Sequence, residues 1–181
     1  MRFGSRKLDA DLHGQAIGFW PIRTAQRLGC PVVIVTGLQA PQFLAEATDP
    51  PKVIVNPDPA RGMGGSIAIA SAYARQQQAR RLLIMLGDVP FVSPDTLRRL
   101  CEATPALGAA ACRYPSGKLG PPACFDAELF PELERLEGDH GARRLLNDTD
   151  LTVGLPVDPE ELRDIDTVED LRELSRRKPG S

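Results

Sequence analysis

The sequence predicts an α/β fold: a mostly parallel sheet with helices on both faces. Continuous β-branched and apolar runs recur along the chain, amphipathic stretches with helix start and stop signals separate them, and no long linker breaks the alternation.

In chain order, the first helix spans 21–28 and stops at Gly29, a residue suited to a helix C-terminus. Pro21 requires that this helix begin within the preceding few residues, where an amide needs no intrahelical partner. Val32-Val33-Ile34-Val35 follows, entered from Gly29-Cys30-Pro31 and closed by Thr36-Gly37, and suits a strand covered on both faces. Val53-Ile54-Val55 and Leu82-Leu83-Ile84-Met85-Leu86 read the same way. Between them a helix over 66–78 aligns Ile67, Ala70 and Ala74 on one stripe. Ser93 is an N-cap followed by Pro94 in the first helical position, opening a helix to Ala103. Ala109-Ala110-Ala111-Cys112 and Thr152-Val153-Gly154-Leu155 supply two later strands, with short helices over 128–137 and 142–147. Asp166-Thr167-Val168-Glu169 has capping-box spacing with Asp166 in the cap position, and starts the last helix.

A length of 181 residues suits one domain over 1–181, with 176–181 as a frayed tail. The net charge of −2 lacks the basic footprint of a nucleic-acid binder. No apolar run is long enough to span a bilayer, and the first residues lack the apolar segment of a secretory signal, so a cytoplasmic protein is expected. Cys30, Cys101, Cys112 and Cys124 form no CxxC pair and are not spaced with His13 or His140 as zinc ligands, which favours free thiols.

In parallel sheets ligands bind beyond the carboxyl ends of the strands, so the loops there are the candidates. Leu86-Gly87-Asp88-Val89-Pro90 sets a carboxylate just past the most apolar strand. Asp88 either holds magnesium, which takes hard oxygen ligands, or caps the turn before Pro90. In Asp164-Ile165-Asp166-Thr167 an inward Ile165 turns both aspartates the other way, where either can share a cation with Asp88. Asn56 to Ser66 carries Gly62, Gly64 and Gly65 into a helix start, either an anion cradle of backbone amides or a flexible connection. It is not a Walker A loop, and Gly62-Met63-Gly64-Gly65 lacks the dinucleotide-binding spacing. Gly138-Asp139-His140-Gly141-Ala142-Arg143 is a second glycine-bounded turn, its His140 a ligand, an acid–base group or an exposed turn residue, the last favoured. Arg2, Arg6 and Lys7 make a basic segment, solvated or facing a triphosphate.

Together these loops resemble the MobA-like NTP transferases, and within them the molybdenum cofactor cytidylyltransferases. Arg2-Phe3-Gly4-Ser5-Arg6-Lys7 resembles the end of that family's Leu-Ala-Ala-Gly-x-Ser-x-Arg-x-Gly-x-x-Lys opening. The Asn56 to Ser66 stretch is similar to its Asn…Gly-Met-x-x-Ser loop, and Gly87-Asp88-Val89-Pro90 to its Gly-Asp-x-Pro element. Gly120-Pro121-Pro122 resembles its Gly-x-Pro segment; the 138–143 and 164–167 stretches complete the series in order.

The resemblance implies a Rossmann-like three-layer nucleotide-diphospho-sugar transferase fold and Mg2+-dependent transfer of a nucleotidyl group from a nucleoside triphosphate, CTP favoured over GTP, to a molybdopterin-type acceptor. It implies that Asp88 and Asp166 hold the metal and that Lys7, Arg2 and Asp88 carry the chemistry. It sets Arg2, Lys7, Asn56, Gly62 and Ser66 on the nucleotide and Gly120 and Asp139 on the acceptor. A cofactor carrier for a molybdenum hydroxylase and a sugar-phosphate nucleotidyltransferase are the alternatives. The family's opening strand and Leu-Ala-Ala-Gly segment have no counterpart before Met1, and the expectation is a start set too far downstream.

Overall fold

The computed structural model describes residues 7–47, 50–148 and 150–176. The chain opens with a small hairpin, β1 (Asp11–Leu12) and β2 (Gln15–Ala16), followed by α1 (Phe19–Gln26), in which Pro21 is the third residue as its missing amide requires. Strands β3 (Val33–Thr36) and β4 (Lys52–Val55) pair in parallel, with the short helix α2 (Phe43–Glu46) between them. Helix α3 (Gly62–Gln76) leads to β5 (Arg81–Ile84), and α4 (Pro94–Ala103) leads to β6 (Ala109–Arg113). Then come β7 (Leu119–Asp126), α5 (Phe130–Leu133), α6 (Arg143–Asp148), β8 (Thr152–Pro156) and α7 (Val168–Leu174).

The larger sheet has the order β5-β7-β6-β8 and forms the middle of three layers. On one face Ala109, Ala111, Ala123 and Phe125 pack against Ile67 of α3, Phe130 of α5 and Leu146 of α6. On the other, Ala110, Cys112 and Cys124 meet Leu97 and Leu100 of α4. The period-two alternation of each strand divides its side chains between the two helix layers. The β6–β8 and β3–β4 ladders are parallel, whereas β7 runs antiparallel to both its neighbours, β5 and β6. Among the described residues no ladder joins β3–β4 to the larger sheet, although α3 packs against both β3 and β5. The expected two-sided cover of β4 is incomplete: Val53 and Val55 are 36% and 49% exposed.

The β1–β2 hairpin and α2 carry no signal in the sequence reading, and three further elements depart from it. Strand β7 was not foreseen, because Pro121 and Pro122 argue against an interior strand. Both are accommodated where the β6–β7 register shifts: Ala111 faces Ala123 and Cys112 faces Gly120, so neither proline needs a ladder amide. Helix α3 begins at Gly62, four residues before the expected Ser66, and its first turn is tied down by the bond from the Gly64 amide to the Gly138 carbonyl. The cap of α7 is Thr167, not Asp166: Thr167 Oγ1 accepts from the Asp170 amide and the Asp170 carboxylate accepts from the Thr167 amide. Ser93 and Pro94 start α4 as expected.

All four cysteines are free thiols, Cys30 exposed, Cys101 half-buried, Cys112 and Cys124 buried. Burial pushes the Cys112 thiol up to about 12, and the hydrogen bond with Cys124 pushes Cys101 up. A thiol reagent added to the native protein is therefore expected to label Cys30 fast, with Cys112 and Cys124 reacting only on unfolding. Peptide mapping of a labelling time course checks this; fast labelling of Cys112 would contradict the packing. Among the described residues no helix is long and apolar enough to cross a membrane.

Candidate functional site

One small core brings three distant segments together. Leu12 and Ile17 of the opening hairpin pack with Ile165 and Leu174, and Leu8, Phe91 and Leu171 close the cluster. The Ile165 amide donates to the Asp88 carbonyl at 3.1 Å, fixing the loop after β5 to the segment before α7. A Cβ on Gly87 would lie 3.3 Å from Leu8 Cδ1, so the glycine leaves room for the Lys7–Leu8 segment to close over it. Asp88 stands four residues beyond Ile84, farther past the strand than its sequence suggests, because the ladder ends before Met85.

At this junction the Lys7 ammonium donates to Asp88 Oδ2 at 2.7 Å and to Asp166 Oδ1 at 2.6 Å. Because Thr167 serves as the helix cap, the Asp166 carboxylate is left free to take this partner. Burial disfavours the Lys7 charge, but the hydrogen bonds and charges of Asp166 and Asp88 outweigh it and raise the ammonium above its usual range. The charge is thus fully present at neutral pH and is lost only as pH rises through that elevated value. Asp164, facing the same way with Ile165 turned into the core, has its carboxyl raised by burial and by the charges of Asp166 and Asp88. Among the described residues no third acidic, histidine or cysteine side chain joins Asp88 and Asp166 as a metal-holding group.

The glycine loop is built tightly. Asn56 is buried at the end of β4, where its amide donates to the Thr36 carbonyl at 2.7 Å. Its side-chain Nδ2 donates to Ser66 Oγ and its Oδ1 accepts from the Asp58 amide. Gly62 has φ +63° and ψ −159°, a region open only to glycine. A Cβ there would collide with Asp139 Oδ1 and with the Gly138 carbonyl carbon at 2.8 Å. The Gly64 amide donates to the Gly138 carbonyl and the Gly138 amide to the Arg61 carbonyl, so the two glycine-bounded loops form one unit. Of the amides in the expected cradle, that of Gly64 is therefore engaged. His140 is exposed.

Gly120 lies under the Tyr114 ring, which a Cβ would meet at 3.1 Å, and the Tyr114 hydroxyl donates to the Pro121 carbonyl. Asn147 holds α6 to this strand by bonding both the amide and the carbonyl of Leu119. Tyr114, which has no signal in the sequence, is pushed up to about 12, first by burial and then by the neighbouring Cys112. Arg2 lies outside the described residues.

The model of the MobA-like NTP transferase domain matches residues 1–153. The chain belongs to that family. It is 32% identical to the purine catabolism protein PucB of Bacillus subtilis (strain 168), over 93% of this chain and 87% of that protein. The structure of Rv0371c from Mycobacterium tuberculosis H37Rv superposes with a TM-score of 0.82 at 31% identity, covering 98% of this chain and 93% of that one. A manganese complex of Rv0371c matches with a TM-score of 0.74 at 29% identity, over 96% of this chain and 94% of that one.

As a MobA-like protein this chain is a nucleotidyltransferase that takes a nucleoside triphosphate, and the family together with the manganese complex implies a divalent cation. The residues present fit such an ion. Two hard carboxylate oxygens, Asp88 Oδ2 and Asp166 Oδ1, already converge on one positive charge, the one or two carboxylates that magnesium takes beside phosphates.

Proposed function

We propose that residues 1–181 form one transferase domain that moves CMP from CTP to a molybdopterin-type acceptor, with magnesium as the divalent cation. The observation that carries this reading is the convergence of Lys7, Asp88 and Asp166 beside the loop that follows β5. Asp88 and Asp166 hold the cation, which supplies Lewis-acid neutralisation of phosphate charge when bound. Lys7 and Arg2 stabilise charge on the triphosphate, and Gly62 and Ser66 line the nucleotide side. Asn56 acts by holding Ser66 in place. Gly120 and Asp139 face the acceptor.

The acceptor phosphate attacks the α-phosphorus, the bond to the β-phosphate breaks, and pyrophosphate leaves. The protein's part is positioning and charge compensation. Support for CTP over GTP comes from Arg2-Phe3-Gly4, which resembles the cytidylyl branch. A role in purine catabolism, the one named for PucB, would suit delivery of the product to a molybdenum hydroxylase.

The test is pyrophosphate release by the purified chain with magnesium, molybdenum cofactor and either CTP or GTP. Release with CTP above GTP is expected. Release only with a sugar phosphate in place of the cofactor would replace the acceptor. Cofactor binding without any release would leave the carrier reading in its place.

A further inference from the structure

We infer that Lys7 is the resident counter-ion of the Asp88–Asp166 pair in the free protein, and that it must vacate this position for a divalent cation to occupy it. The inference rests on the reading of that pair as the cation site, and adds how the site is gated. The ammonium sits 2.7 Å from Asp88 Oδ2 and 2.6 Å from Asp166 Oδ1. A magnesium-sized ion held by the same two oxygens, at about 2.1 Å from each, would fill the volume that the ammonium takes. Lys7 and the cation therefore exclude one another.

The side chain can leave without disturbing the backbone. The Lys7 carbonyl accepts from the Ala10 amide, the Leu8 carbonyl accepts from the Gly18 amide, and Leu8 is packed into the core under the site. The ammonium ends a flexible four-carbon stem, and the Lys7 side chain is 20% exposed, so rotation about that stem carries the charge toward solvent. A nucleotide's phosphates give the released ammonium a new anionic partner. The free protein thus holds the cation weakly, and nucleotide strengthens it; by linkage the cation strengthens nucleotide binding to the same degree.

The test is manganese binding without catalysis, followed by electron paramagnetic resonance, on the full chain with and without CTP. Lys7→Gln is expected to bind manganese alone about tenfold more tightly than the unaltered protein, because a competing charge has gone. The strengthening by CTP is expected to shrink in the same variant. Asp88→Asn is expected to bind manganese more weakly. Lys7→Gln binding no tighter, while Asp88→Asn binds more weakly, overturns the exchange and leaves the cation site standing. Unchanged binding in Asp88→Asn overturns both. Should Lys7→Gln fail to fold, the unaltered protein still decides. Its Lys7 ammonium is expected to give a resonance protected from exchange in the metal-free protein and to lose that protection on saturation with magnesium, and persistence would overturn the proposal.

Discussion

Asp88→Asn is expected to lower turnover by about a thousandfold while leaving the protein folded. The substitution preserves shape and removes one negative charge from the point where Lys7 and Asp166 meet. The backbone link that fixes this loop, from the Ile165 amide to the Asp88 carbonyl, does not involve the side chain and survives. The Asp88 side chain is 28% exposed and lies outside the buried clusters, so little packing is at stake. Pyrophosphate release and a thermal melt on the same preparation check both halves. Unchanged turnover would remove Asp88 from the chemistry, whereas a collapsed melt would make it a structural residue.

Gly62→Ala should be the most damaging single-methyl change in the glycine loop. Alanine at φ +63° and ψ −159° occupies a region that side chains avoid, and its Cβ meets the backbone of Gly138 at 2.8 to 2.9 Å. Backbone strain and overpacking together place the cost at about 2–4 kcal/mol. For a chain of this size that corresponds to a fall in Tm on the order of 5–15 °C. Relief requires the 138–141 turn to move away, which also breaks the bond from the Gly64 amide to Gly138. Nucleotide affinity and Tm should therefore fall together. A variant that keeps both would show that the two loops are not joined as described. Gly14, which has φ +80° but no atom within 4 Å of an added Cβ, makes a suitable control for the backbone effect alone.

How much of this was legible in the sequence depends on how local each signal is. The strands β3, β4, β5, β6 and β8 announce themselves as apolar runs, and Ser93-Pro94 states where α4 begins. Strand β7 was hidden because its prolines break the local pattern, while a register shift in the neighbouring strand makes them harmless. The glycines opening α3 have poor helical propensity, and their first turn is held by the bond from the Gly64 amide to Gly138, more than seventy positions away. The same holds for the site. Asp88 is conspicuous in its loop, but that Asp166 is free of capping duty follows only from Thr167 taking it. Likewise Tyr114 gains interest only once β7 brings Gly120 beneath its ring.

The Lys7–Asp166 contact joins residues 159 positions apart, and the hairpin beneath it rests on Leu174 of the last helix. During synthesis from the N-terminus, the sheet and most helices can form while this charge cluster is still missing one of its two carboxylates. A nascent chain therefore cannot present the finished cluster to a nucleotide until α7 has emerged and docked. Activity should be a late and all-or-none property of biosynthesis, and losing only the final helix would yield a well-packed sheet with no working centre.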